Sequence, residues 1–171
     1  NYTWDVKAAL ALHRQAVERC ERVFGPDHPT TAANVADLAG LIAQIEGQAA
    51  ALPLYKRVIA IREQSLGPDH PETLRAKLEL AGPDESEALV RKMVEVRERS
   101  LGINHPETID TVALLALYLF DTDNRTAEQL LRRVADATEK VFGPSSNEAT
   151  SAIMQLASFL EWNNRPDDAI P

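Results

Sequence analysis

Cysteine is almost missing from this chain of 171 residues: Cys20 is the only one. No internal disulfide can form, so the fold must be held by packing, and this usage is compatible with a reducing compartment. Aromatic residues make up only 5%, although 44% of the chain is hydrophobic. A core built from Ala, Leu, Val and Ile is therefore expected, not a disordered tail. No run approaches the roughly 18 apolar residues that a membrane-spanning helix needs. Basic residues are outnumbered by acidic ones, 18 against 26, for a net charge of −8. That argues against a nucleic-acid partner, because a phosphate backbone requires a basic face. There is also no nucleophile–base pair, no Gly-rich phosphate loop and no Cys/His metal spacing. The expectation is a protein with no catalytic residues, cofactor or metal. The opening, NYTWDVKAAL, lacks the basic end and apolar core of a signal peptide. The closing NNRPDDAIP reads as the start of another helix. The chain is expected to be a window from a longer protein.

Glycine is scarce too, at seven residues, and its placement is informative. FGPDHP occupies 24–29, LGPDHP 66–71, LGINHP 101–106 and FGPSSN 142–147, which puts glycines at 25, 67, 102 and 143. Recurrence at 20 to 50 residues marks a stacked repeat array. The copies agree away from the turn. Leu12, Leu54, Leu89 and Leu130 each stand 13 residues before the glycine, and Glu21, Glu63, Glu98 and Glu139 each stand four before it.

One repeat can be read between His28 and Gly67. Pro29 suits the first turn of a helix, where its missing N–H is no loss. Val35, Leu38, Ala39 and Ile42 then form one apolar stripe at offsets of three and four. Gly47-Gln48 interrupts. A second helix from Ala50 places Leu54, Val58, Ile61 and Ser65 on one side, with Lys56, Arg57 and Glu63 off that line. Pro53 falls near its first turn, where proline is tolerated. Gly67 ends it as a C′ residue would. Ala39 and Ala51 allow the two helices a close approach. Neither helix can bury its stripe alone, so helical hairpins must stack: the fold class is all-α, an α-solenoid.

LYKRVIAIREQSLGPDHPET at 54–73, VRKMVEVRERSLGINHPET at 90–108, and the pairs Leu38-Ala39, Leu80-Ala81, Leu115-Ala116 and Leu156-Ala157 carry a resemblance. The chain resembles tetratricopeptide repeat proteins, in the roughly 42-residue form of kinesin light chains. The likeness covers nearly the whole sequence. It implies a single right-handed superhelix of antiparallel hairpins over 1–171 and a protein-binding role without catalysis. In kinesin light chains an asparagine pair before each Leu-Ala helps to hold extended cargo peptides. The matching pairs here are Ala36-Asp37, Leu78-Glu79, Ala113-Leu114 and Met154-Gln155. None is Asn-Asn, so that clamp is not carried over. Groove positions Ala33, Gly40, Ala43, Leu117 and Ser158 are small or apolar, which suits an apolar helix or a neighbouring subunit better than an acidic peptide. Asp37, Glu79, Leu114, Met154, Gln155 and Trp162 are the expected partner-binding residues.

His28, His70 and His105 recur in register, and Ser146 replaces the histidine in the fourth copy. Neighbouring helices lie about 8–10 Å apart, too far for equivalent histidines to share an ion with bonds of about 2 Å. Local capping is the expected role. The recurring glutamates are expected to sit near the N-terminus of the next helix, where negative charge is favoured. Cys20 aligns with Arg62 and Arg97 and is expected on the outer surface.

The copies differ most in the repeat 70–101, which lacks seven residues, close to two helical turns. Its first helix is expected to be a stub over 72–81, turned early by Gly82-Pro83-Asp84, leaving a notch. Three functional readings follow. The first is a structural subunit of a large assembly, cytoplasmic and associated with the cytoskeleton or a cilium. The second is an adaptor that holds a cargo or linear peptide. The third is the repeat arm of a multidomain signalling NTPase.

Overall fold

In the computed structural model, residues 2–163 are described, the side chains of residues 2–5, 83 and 84 excepted. They form eight helices and no strand: α1 (Tyr2–Phe24), α2 (Pro29–Glu46), α3 (Gln48–Leu66), α4 (Pro71–Leu78), α5 (Pro83–Leu101), α6 (Pro106–Tyr118), α7 (Asn124–Phe142) and α8 (Asn147–Asn163). Two compact units result, residues 1–82 and 83–171. Each helix packs on the next within its unit: α1 to α4 in the first, α5 to α8 in the second. The closing segment after Asn163, expected to open another helix, lies outside the described residues. Among the described residues no helix is long and apolar enough to cross a membrane.

The recurring turn explains the helix boundaries. Gly25, Gly67, Gly102 and Gly143 have φ between +90° and +96°. At Gly67 ψ is 160°, a conformation open almost only to glycine. Its N–H still reaches the Glu63 carbonyl at 3.1 Å, satisfying one carbonyl of the ending helix. Three residues on, the histidine caps the next helix. Nδ1 of His28, His70 and His105 accepts from the amides of Thr30, Glu72 and Glu107 at 3.1–3.2 Å. Ser146 makes the equivalent cap in the fourth copy, accepting from the Ala149 amide at 3.1 Å. Pro29, Pro71 and Pro106 follow their histidines as the first helical residues.

The stripes become the cores. In the first unit Val35, Leu38, Ala39, Ile42, Ala51, Val58 and Ala76 pack with Val17 and Tyr55. Ala39 and Ala51 are fully buried, as close helix approach requires. In the second unit Val90, Val112, Leu119 and Phe159 are the largest fully buried side chains. Fully burying such a side chain is worth about 1.5–3 kcal/mol, whereas a surface ion pair is worth about 0–1 kcal/mol. The stripes, not the charges, hold the hairpins together.

Five local expectations are corrected. The buried line of α3 is Ala51, Tyr55, Val58 and Ile61; Ser65 is exposed and donates to the Ile61 carbonyl at 2.8 Å. Pro53 lies inside α3, which starts at Gln48, so it sits in the second turn rather than the first. Three of the four recurring glutamates pair with cations rather than relying on the next helix's N-terminus. Glu21 pairs with Arg57 at 2.7 Å, Glu63 with Lys77 at 2.7 Å, and Glu98 with Arg133. Cys20 is half-buried, and its register is not the outer surface: the Arg62 and Arg97 side chains are 13% and 11% exposed. Each of those arginines holds the following helix, pairing with the Glu72 or Glu107 carboxylate and donating to that residue's carbonyl. Helix α4 ends at Leu78, three residues before the expected stop, in a turn closed by the Leu80 amide on the Lys77 carbonyl.

The caps make a testable series. His70→Ala and His105→Ala should each destabilise the chain by about 1 kcal/mol, while the serine variants, which reproduce the fourth copy, should cost less. Gly67→Ala should cost about 1–3 kcal/mol through backbone strain, since a Cβ there meets nothing within 4 Å. Urea denaturation followed by circular dichroism measures all five.

Candidate functional site

Each unit carries a cleft. The cleft of the first unit has a volume of about 590 Å³ and is walled by α2, α3 and α4, with His13 from α1. Asp37, Gly40, Tyr55, Arg62, Arg75 and Glu79 line it. Asp37 and Gly40 stand three apart on α2, hence on one face. Glu79 follows the last residue of α4, where the Gln48 side-chain amide donates to its carbonyl. Arg62 is already paired with Glu72 at 3.2 Å. Tyr55 is 4% exposed. Burial raises its pKa above the ordinary tyrosine value, and the Glu79 charge adds to the effect.

The cleft of the second unit, about 620 Å³, is built from α6, α7 and α8 and is largely apolar. Leu117 and Phe120 face Met154, Phe159 and Trp162 across it, with Leu131 in the wall. Phe120 and Phe159 meet edge to face with centroids 5.1 Å apart, and Trp162 lies 6.3 Å from Phe120. Leu117, Met154 and Trp162 are 65%, 64% and 69% exposed. Asp123 starts α7; hydrogen bonds from the Thr126 hydroxyl and amide hold its carboxyl below the usual range.

The six residues expected from sequence separate accordingly. Asp37 and Glu79 share the first cleft. Met154, Gln155 and Trp162 share the second. Leu114 is half-buried on α6 and lines neither. Of the small groove positions, Ala33 and Gly40 line the first cleft and Leu117 and Ser158 the second, while Ala43 packs against the core. The apolar groove expected throughout is found only in the second unit; the first is charged. Tyr55, Arg62 and Arg75 were not expected here. A signal exists for Tyr55: twelve residues before each glycine stand His13, Tyr55, Val90 and Leu131. Polar groups occur in that register only in the two copies that line the first cleft.

A family profile described as Tetratricopeptide repeat matches residues 2–30, 44–72 and 78–107, just over half of the chain. Each match takes in one long helix and the connection after it. A crystal structure of a Podosopora anserina kinesin light chain with nearly identical TPR-like repeats is 24% identical, with a TM-score of 0.70 over 98% of this chain and 83% of that one. A point variant of it gives 22% and 0.71 over the same shares. BtubC (BKLC) from P. vanneervenii is 16% identical, with a TM-score of 0.72 over 93% of this chain and 67% of that one. At these identities the likeness speaks for the fold, an all-α solenoid of helix hairpins. No curated protein matches the sequence.

Tyr55 gives the site its pH test. Its folded pKa is raised, so the folded state holds the phenolic proton more tightly than the unfolded chain. The stability this represents is complete below the ordinary tyrosine value and is lost as pH rises through the folded value. Absorbance titration at 295 nm should show one tyrosine ionising late, and Tyr55→Phe should remove that phase while leaving stability at neutral pH unchanged or improved.

Proposed function

Because the chain belongs to the tetratricopeptide repeat family, we propose that it is a non-enzymatic protein–protein interaction scaffold, serving as a structural subunit of a larger assembly. The observation that carries this reading is the second unit's apolar cleft, with Leu117, Met154 and Trp162 each about two-thirds exposed. Contiguous apolar surface of this kind marks a partner site. Large amphipathic aromatics such as Trp162 are typical anchors of interfaces. An apolar helix or a neighbouring subunit fits such a lining; a nucleic acid does not, and the net charge of −8 points the same way. A cytoplasmic setting, with the cytoskeleton or a cilium as the larger assembly, belongs to this reading. A second reading, a reversible adaptor for an extended segment, is favoured by the charged cleft of the first unit.

Affinity capture with the full chain, compared at low and high salt, tests the assignment. A small set of stoichiometric partners should survive high salt, and Leu117→Asp with Met154→Asp should abolish that capture. Both positions are exposed enough for the double variant to fold with about 1 kcal/mol or less lost. Partners that all disappear at high salt and ignore the double variant would favour the adaptor.

A further inference from the structure

The apolar cleft of the second unit continues beyond its own walls. An adjoining cleft of about 480 Å³ extends it along α6 and α8. The two share Asn147, Ser151 and Gln155, all exposed on one side of α8. One groove therefore runs along both helices, and its two ends differ. Leu117, Met154 and Trp162 mark the apolar end. Asp110 and Glu148 mark the other; both are exposed, and among the described residues neither is in an ion pair.

The two ends are in step. Asp110 and Leu117 stand two turns apart on α6, hence on one face and about 10.5 Å apart along the axis. Glu148 precedes Met154 on α8 by nearly the same distance. Both walls thus run from carboxylate to large apolar side chain in the same direction.

The charge of the lining has one sign. No lysine or arginine lines either cleft, and none occurs on α6 or α8. Of the acids on these helices only Glu107 is paired, with Arg97 at 3.1 Å. Glu161, next to Trp162, is exposed. The first cleft is the contrast, since Arg62 and Arg75 stand in its lining. An acidic segment laid in the second unit's groove would meet carboxylates and no cation, whereas a basic one is complementary to it. A helix suits the spacing, because its residues at i, i+3, i+4 and i+7 share one face.

We propose that the groove holds a basic amphipathic helix of a partner protein. Its apolar side chains pack on Leu117, Met154 and Trp162, and a lysine or arginine about two turns away pairs with Asp110 and Glu148. The proposal rests on the scaffold reading and names the chemistry of the partner at that same site.

The test uses the full chain and fluorescein-labelled alanine-based peptides of about 18 residues, long enough to form a helix. The reference peptide carries a leucine ridge and, about two turns away, a lysine pair on the same face. Anisotropy titration should show it binding about tenfold more tightly than a peptide with glutamates in place of the lysines, and serines in place of the leucines should abolish binding. Asp110→Asn with Glu148→Gln should weaken the lysine peptide about tenfold without weakening the glutamate peptide. Leu117→Ser with Met154→Ser should abolish binding of both. All four positions are exposed, so both double variants keep the fold. At about 1 M salt the lysine preference should vanish while leucine-dependent binding stays. No binding of the lysine peptide, equal affinity for the glutamate peptide, or indifference to Asp110→Asn with Glu148→Gln would overturn the proposal. A wild-type chain that sediments as a dimer, and as a monomer with Leu117→Ser and Met154→Ser, would give the groove to a second copy and overturn it equally. Salt-resistant capture separates the two readings. If it persists in the wild-type chain while the peptide preference fails, only the basic helix falls. If the wild-type chain captures nothing, the scaffold reading falls with it.

Discussion

Each hairpin stands only if a four-residue connection can stop one helix and start the next at once. Every helix end leaves backbone groups without partners, and here two ends meet within a few residues. The connection resolves both with fixed chemistry. A glycine with φ near +90° turns the chain while its N–H satisfies a carbonyl of the departing helix, and a histidine imidazole accepts from the arriving one. Proline then occupies the first helical position. With the termini satisfied, the apolar stripes are free to set the packing. That division of labour explains why the turn is repeated nearly letter for letter, whereas the residues between turns vary.

It also explains what could be read from sequence. The turn chemistry is local: glycine, histidine and proline act within about five residues of one another, so their roles show in the letters. The α2 stripe is legible for the same reason, as periodicity along one helix. Pairings between helices are not local. Arg57 reaches Glu21 across 36 residues, and Arg62 reaches Glu72 across a turn. A single chain gives no sign of such partners, so the letters alone point the glutamates to a helix dipole although Glu21, Glu63 and Glu98 pair with cations. Pro53 shows the reverse case. Proline suggested an early helix position, but packing of Ala51, Tyr55, Val58 and Ile61 carries α3 through it, so tertiary burial outweighs one missing backbone bond.

The candidate sites divide along the same line. Residues before the Leu-Ala pair fall on cleft walls in three of the four copies, which places Asp37, Glu79, Met154 and Gln155. Leu114 fails because the aligned position on α6 faces neither opening. The floors of the clefts come from the partner helix of each hairpin, and its contribution depends on side-chain size in a register that looks like ordinary core. Tyr55 and Leu131 occupy the same register, and that one difference helps to make one cleft polar and the other apolar.

Loss of the asparagine pairs therefore need not mean loss of binding. A repeat array keeps its turns and stripes because they are required for folding, and these constrain only some positions of each helix. The remaining positions are at liberty to change the chemistry of the groove without disturbing the stack. Two clefts of similar volume, about 590 and 620 Å³, have arisen on one scaffold with opposite polarity. A fold that served only to space its neighbours would have no reason to leave three large apolar side chains in solvent at α6 and α8. They are accounted for if the second cleft is completed by another protein.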